Sequence, residues 1–297
     1  MKVTVTGSLG NISRALTEKL AAAGHEVRVI SSQAGRKAAI EALQAIPFIG
    51  SVEDGDFLKS AFEGSDAVYL MVPPAFGAPD YKQFTINAGR NYAEAVKHSG
   101  IGYVVNLSSS GSPLAGKAPL LDYQNLEVFL DALPELNVLH LRPGGFYSNF
   151  YGSIGMIKHM GIIGNNFSGD VQMILSHPAD IADAAFEALH TLSFKGRNVQ
   201  YVVSDRKNGK EAAALLGAAI GRQDLRWVQF PDEQLLEGLM QNGFSRDAAQ
   251  HYIVDMGIAI REGVLEKHYR ENTFEVVGGR NFSGFAHEFA KVYQFSQ

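Results

Sequence analysis

VTVTGSLGNISRAL, residues Val3 to Leu16, decides how the chain is read. Val3 to Thr6 is a β-rich run, Gly7 and Gly10 follow, and Ile12, Leu16 and Leu20 then recur on one helical face until Gly24. A strand that turns through glycines into a helix start can hold a diphosphate, because backbone N–H groups point at it and no side chain blocks the approach. Gly7 permits the tight turn and Gly10 the close approach. The spacing is G-x-x-G-x-x-S rather than G-x-G-x-x-G, with Ser13 where a helix-packing glycine or alanine is usual. Serine is small enough to keep the helix near the sheet. The plainer alternative is an ordinary βα turn.

The same rhythm continues outward. EVRVISS reads as a second strand, RKAAIEALQ as a helix stopped by Pro47, and PFIGSV as a third strand. DFLKSAFEG is a short helix, AVYLMV a fourth strand, Tyr81 to about Ser99 a longer helix, and YVVNLSS a fifth strand. A helix near Tyr123 to Leu133 and the strand NVLHLRPG close the series. Strands separated by helix-length segments need crossover connections, so the fold class is α/β, a doubly wound parallel sheet. The expected division is a nucleotide-binding domain over 1–150, rejoined by elements near 177–205, and a smaller, mostly helical substrate domain over 151–297. Within the second part PADIADAAFEALH, KEAAALLGAAIG and the stretch from Pro231 to Gly263 read as helices and VQYVVS as a strand. DRKNGK, Asp205 to Lys210, is the best candidate for a polyanion patch, with an exposed loop the plainer reading. FYSNFYGSIGMIKHMGIIGNNFSG suits either an apolar cavity wall or an irregular core cap.

Composition narrows the function. The chain has 297 residues, 46% of them apolar, enough for a sizeable core. A formal charge of -5 offers no general attraction to nucleic acid or anionic membranes. No run is long and apolar enough to span a bilayer. With no cysteine, disulfides and thiolate metal sites are excluded, which suits a reducing cytoplasm. The nine histidines show no metal-binding spacing, so no metal is expected. His140, between Leu139 and Leu141, reads as a core imidazole, and His177, before Pro178, as a cap or a cleft residue.

The end of the second strand bears on the cofactor. An acid there would bond a ribose 2′-hydroxyl. This chain has Ser31 and Ser32, then Arg36 and Lys37, a neutral-to-cationic patch that accepts a 2′-phosphate and favours NADP over NAD. The alternative is that Arg36 and Lys37 are the solvated first turn of the next helix.

Several segments in order resemble the NmrA-like branch of the atypical short-chain dehydrogenase/reductases, which includes NADPH:quinone oxidoreductase-like and isoflavone-reductase-like members. They are VTGSLGNIS, FEGSDAVYLMVPP, INAGRNYAEAVKHSGIGYVVNLSSSG, the segment from Glu127 to LRPGGFYSNF, HPADIADAAFEAL and FSGFAHEFAKVY. The resemblance implies an NADP-binding Rossmann domain with a smaller domain closing over a substrate cleft. It assigns the diphosphate to Gly7, Ser8, Leu9, Gly10, Asn11 and Ile12. Met71, Val72 and Pro73 would flank the ribose or nicotinamide, and Gly144, Gly145, Phe146 and Tyr147 would lie beside the nicotinamide ring. Ser32 stands where many relatives carry an arginine, leaving the 2′-phosphate to Arg36, and Ser51 stands where relatives often have an aspartate.

Better-known short-chain dehydrogenases pair Tyr and Lys in Y-x-x-x-K with a nearby serine. Here Ser108 ends the fifth strand and Tyr123 is the candidate acid, but Glu127 takes the lysine's place in YQNLE. A carboxylate there would raise the phenol pKa. The expected activity is hydride transfer from NADPH to a small apolar acceptor such as a quinone, with Phe146, Tyr147, Tyr151 and Met156 as substrate contacts. A non-catalytic NADP sensor acting through a protein partner is the alternative, and a nucleotide-sugar epimerase the third. Oligomeric state stays open.

Overall fold

The computed structural model describes residues 1–112, 124–272 and 278–296. Seven strands form the central sheet: β1 Lys2–Val5, β2 Glu26–Ser31, β3 Ile46–Ile49, β4 Ala67–Leu70, β5 Tyr103–Leu107, β6 Asn137–Pro143 and β10 Arg197–Val202. Five more are short: β7 Gly145–Phe146, β8 Ile162–Asn165, β9 Gln172–Ser176, β11 Asp205–Asn208 and β12 Arg226–Gln229. The large sheet runs β10-β6-β5-β4-β1-β2-β3, and every pairing is parallel. It is a Rossmann-type doubly wound sheet. The strand order reverses between β1 and β4, and such a switch point opens a crevice at the carboxyl ends of the strands.

Both faces are covered, as a parallel sheet requires. Helices Ser13–Ala22 and Pro178–Thr191 seal one face with Leu16, Leu20, Ile181, Ala185 and Leu189. Helices Gly55–Phe62, Tyr81–Ser99 and Gln124–Asp131 seal the other with Leu58, Phe62, Tyr92, Val96, Leu126 and Leu130. Local signals fix their limits. Asp80 accepts from the Gln83 amide at 2.7 Å to start Tyr81–Ser99, and Gly100, at φ 65°, ends it. Pro47 does not stop the preceding helix, which closes at Glu41. It lies inside β3, at the sheet edge, where a missing N–H is tolerated.

The carboxyl-terminal half builds a second core from Tyr147, Phe150, Ile157, Phe167, Phe282 and Phe289, among others. It carries more strand than its helical sequence pattern suggests. β9 pairs with both β7 and β11, and β8 pairs with β12. Asp205–Asn208, expected as an exposed loop, is β11, antiparallel to β9. These strands are two to five residues long and pair across long sequence separations, so no local alternation announces them. β10 crosses back to extend the large sheet beside β6. The halves are fastened through Asp183, which meets Lys19 at 2.9 Å and Arg280 at 2.8 Å. Among the described residues no helix is long and apolar enough to cross a membrane.

Candidate active site

The glycine loop leaves β1 at the switch point and is held by its backbone. Thr6 N–H donates to the Tyr69 carbonyl and Ser8 N–H to the Ile30 carbonyl, each at 3.0 Å, so the loop hangs from β4 and β2. Leu9 and Ile12 are buried beneath it, while Gly10 and Asn11 face solvent. Gly7 has φ 86°, and a Cβ there would lie 2.3 Å from Met71 Sδ and 2.7 Å from Ser13 Oγ. Only glycine fits. At Gly10 a Cβ would approach the Gly7 carbonyl to 3.3 Å. Ser13, in place of the usual small packing residue, donates to the Thr6 carbonyl at 2.8 Å and so ties the helix start to the end of β1.

This helix start is open to an anion. Ile12 occupies its N-cap and makes no side-chain cap, and no acid lies in the first turn. The amides of Asn11, Ile12 and Ser13 have no acceptor among the described residues. Uncapped amides and the positive end of the helix dipole favour a diphosphate at this place. The residues present therefore fit the group: the amides face an exposed loop that added side chains would fill.

At the end of β2, Ser31 is buried and its hydroxyl accepts from Ser8 Oγ at 3.0 Å and from the Gln33 amide at 3.1 Å. Ser31 thus braces the glycine loop. Ser32, Arg36 and Lys37 are exposed, and Arg36 Nε donates to Gln33 Oε1 at 3.3 Å. Ser51 is turned to local use, accepting from the Glu53 amide at 3.1 Å.

Across the crevice, Met71, Val72 and Pro73 leave β4 half-buried. Thr6 Oγ1 accepts from the Met71 amide at 2.8 Å, and the buried Tyr92 hydroxyl donates to the Met71 carbonyl at 2.9 Å. Gly144 passes so close to β9 that a Cβ would lie 2.3 Å from the Ile174 carbonyl. Its amide donates to Ser176 Oγ at 2.8 Å. Phe146 is half-buried and packs on the same core cluster as Met71 and Leu107. The carboxyl ends of β1, β4, β5 and β6 are thereby brought to one crevice.

The reacting end proposed from the sequence is closed upon itself. Ser108 Oγ donates to Glu127 Oε1 at 2.5 Å. Arg142 grips the same carboxylate with two bonds, Nε to Oε1 at 3.0 Å and Nη2 to Oε2 at 2.6 Å. The side chains of Arg142 and Glu127 are only 11% and 9% exposed. Burial works to raise the Glu127 pKa, yet the Arg142 hydrogen bonds, the charges of His140 and Arg142, and the Ser108 hydroxyl outweigh it and hold the carboxyl below its ordinary range. Since the Ser108 proton goes to Glu127, the Ser112 hydroxyl, 2.5 Å from Ser108 Oγ, is the donor of that pair. Glu127 is therefore charge-matched inside the protein. Tyr123 lies outside the described residues.

Of the two readings open for the run after Phe146, cavity wall or irregular core cap, the burial of its aromatics favours the core. Tyr147 is 0% exposed, donates its hydroxyl to the Arg280 carbonyl at 3.0 Å, and packs edge-on against Phe282 and His177. It cannot touch a substrate in this conformation. Tyr151 is half-buried and stacks on Phe289 at 5.8 Å, and Met156 is half-buried in the same segment. His177 caps helix Pro178–Thr191, its Nδ1 accepting from the Ala179 amide at 3.1 Å. His140 is buried between Asn106, at 3.0 Å, and Asp131, at 3.1 Å.

Sequence reading assigns no role to a further cluster of rings, which joins the segment leaving β4 to the carboxyl-terminal half. Phe76, five residues beyond Met71, stacks on Phe244 at 4.5 Å and meets Tyr252 at 5.3 Å, and Tyr252 meets Tyr81 at 5.6 Å. Ser245 N–H donates to the Phe76 carbonyl at 2.8 Å, and Tyr81 N–H to Asp247 Oδ2 at 2.7 Å. Their only signal in the sequence is four aromatics in segments that otherwise read as loop and amphipathic helix.

An uncapped helix start, a turn through two glycines and a strand-order switch are the parts of a dinucleotide site, and the sequence profile of the NAD(P)H-binding family matches residues 7–191, from Gly7 through the helix that ends at Thr191. The chain belongs to that family. Solved structures share its fold over nearly the whole length. Triphenylmethane reductase of a Citrobacter species in complex with NADP(H) aligns at TM-score 0.76 with 16% identity, over 97% of this chain and 99% of its own. An NADPH-dependent quinone oxidoreductase of Escherichia coli complexed with NADPH aligns at 0.74 with 17% identity, over 98% of each. The negative transcriptional regulator NmrA in complex with NADP aligns at 0.70 with 16% identity, over 98% of this chain and 95% of its own. These neighbours share the fold that the NmrA-like resemblance implies. No curated protein sequence matches the chain.

Proposed function

We propose that the chain binds NADPH and passes hydride to a small, flat, largely apolar acceptor, with a quinone the leading candidate. The observation that carries this is the contrast within one crevice: open amides at the diphosphate end, and a hydroxyl at the reacting end whose proton is committed to Glu127. Gly7 to Ile12 hold the diphosphate, with Ser31 bracing the loop. Arg36, with no acid beside it at the end of β2, receives the 2′-phosphate and sets the preference over NADH. Met71, Val72 and Pro73 on one side and Gly144, Gly145 and Phe146 on the other place the nicotinamide. When bound, NADPH supplies the hydride.

Ser108 faces this end as an acceptor, so it does not polarise a carbonyl by donating to it. A quinone tolerates this, since its reduced form takes the balancing proton from water, and positioning supplies the catalytic effect. The related fold of an NADPH-dependent quinone oxidoreductase is in line with that chemistry. The locked Ser108–Glu127–Arg142 cluster equally favours a second reading, an NADP sensor without turnover that signals to a protein partner, as the fold of the regulator NmrA suggests. Mixing the protein with NADPH and a panel of quinones, and following the nicotinamide absorbance, separates the two. Steady oxidation is expected; tight NADPH binding with no turnover on any acceptor would establish the sensor instead. Tyr123→Phe tests the remaining candidate acid, and unchanged turnover is the outcome this mechanism expects.

A further inference from the structure

The acceptor needs a surface, and the run Tyr147 to Phe167 is largely consumed by the second core. The rings around Phe76 are placed differently. They lie where the segment leaving β4 at the switch-point crevice meets the carboxyl-terminal helices. Phe76, Phe244 and Tyr252 are half-buried, unlike Tyr147, Phe282 and Phe289 in the second core. Half-buried rings joined to the segment that follows a cofactor strand offer aromatic surface of the kind a planar, electron-poor ligand stacks against.

Tyr252 sits in a π-helical turn, Ala249–Val254, between the short helix Arg246–Ala248 and the helix Asp255–Arg261. Such turns insert an extra residue per turn and re-aim side chains, and they are frequent at functional sites. Here the turn brings Tyr252 against both Phe76 and Tyr81. A polar rim adjoins the rings: His251 Nδ1 lies 2.8 Å from Asp255 Oδ2, and Nε2 lies 3.4 Å from Asp247 Oδ1. Asp247 is the residue that receives the Tyr81 amide, so rim and rings are positioned by one carboxylate.

We propose that Phe76, Phe244 and Tyr252 form the acceptor subsite, which takes a planar aromatic or quinonoid ring by stacking and sets acceptor specificity. This rests on the hydride-transfer reading above. The test uses menadione with the full chain. Phe244→Leu and Tyr252→Leu are each expected to raise the menadione KM about five- to tenfold, the size of one lost ring contact, with kcat little changed and NADPH affinity retained. Tyr252→Phe keeps the ring and is expected to keep the KM. A photoreactive azido-naphthoquinone on the unaltered, NADP-loaded protein gives a readout that does not depend on variants folding, and its crosslinks are expected within residues 241–260.

Turnover with KM unmoved in both leucine variants, or crosslinks confined to residues 146–167, would overturn the subsite and leave the hydride reading standing. Menadione binding by calorimetry that weakens in the leucine variants, without NADPH oxidation, would uphold the subsite and remove the hydride reading. Neither binding nor turnover in the unaltered chain would overturn both.

Discussion

The two ends of the crevice use opposite chemistry. At the ends of β1 and β2 the walls are backbone: Gly7 with its positive φ, the amides of Asn11 to Ser13, and two serines that bond to each other and to the loop. At the ends of β5 and β6 the walls are side chains that saturate one another, with Ser108 on Glu127 and Glu127 on Arg142. The first end offers amides without acceptors among the described residues. The second is complete alone. On the proposed reading, such a site holds the cofactor and leaves the proton chemistry to the acceptor and solvent.

The sharpest way to break the comparison is to unbalance the closed end. Arg142→Met leaves Glu127 buried with only Ser108 as partner, and removing one member of a buried ion pair typically costs about 3–5 kcal/mol. Denaturant melts should show a loss of that order at neutral pH. The loss should shrink as pH falls, because a protonated Glu127 no longer needs the guanidinium. Adding Glu127→Gln should recover much of the stability, and a loss that did not depend on pH would mean that Arg142 matters mainly through its packing over the Tyr201 ring, 5.9 Å away.

The open end should respond through ligand binding as well as stability. Gly7→Ala places a Cβ at φ 86° against Met71 Sδ and Ser13 Oγ. Met71 can swing aside, but Ser13 is committed to the Thr6 carbonyl. A stability loss of about 2 kcal/mol is expected, from the left-handed backbone plus the clash, with at least a tenfold loss of NADPH affinity by calorimetry. Met71→Ala added to Gly7→Ala should relieve only part of it.

A second buried glutamate sharpens the account of Glu127. Glu266, buried under β9, accepts the Ile174 amide at 2.8 Å, and burial pushes its pKa up, against the pull of that amide and of Arg270 and Arg206. The signs are opposite. The lowered pKa of Glu127 gives a contribution present above the ordinary glutamate range and lost as pH falls through its folded value. The raised pKa of Glu266 gives one present below the ordinary range and lost as pH rises through its folded value. At neutral pH Glu127→Gln should destabilise and Glu266→Gln should stabilise, the latter by about 1 kcal/mol at most, with the Glu266→Gln gain vanishing in acid. Parallel thermal melts across pH would check both.

Why one end was legible in the sequence and the other was not follows from distance along the chain. The glycine loop is a local pattern, and its strand, turn and helix occupy one short run, so Val3 to Leu16 predicts what the structure holds there. The alternating elements through β6 are similarly local. Glu127, on helix Gln124–Asp131, shows in the sequence as a departure from Y-x-x-x-K, yet its partner Arg142 is 15 residues on in β6, and only the packing of that helix against β6 brings the two groups together. The aromatics stay undecided in sequence for the same reason. Tyr147 and Phe244 look alike in sequence, and burial is decided by elements such as helix Phe282–Phe295, which packs on Tyr147 from over a hundred residues away.

The smallest effect tests the least structured part of the open end. The Arg36 side chain is exposed and holds Gln33 through one 3.3 Å bond, so its removal should leave stability nearly unchanged. Its proposed partner, the 2′-phosphate, exists in NADPH and not in NADH. A charge-assisted contact at an exposed position is worth about 1 kcal/mol, which is a five- to tenfold change in affinity. Arg36→Ala should therefore weaken NADPH by that factor and leave NADH where it was, and the NADPH effect should fade with added salt because the contact is exposed. Equal weakening of both cofactors would place Arg36 on the adenosine rather than the phosphate. No change in either would pass the phosphate to Lys37, for which Lys37→Ala repeats the titration.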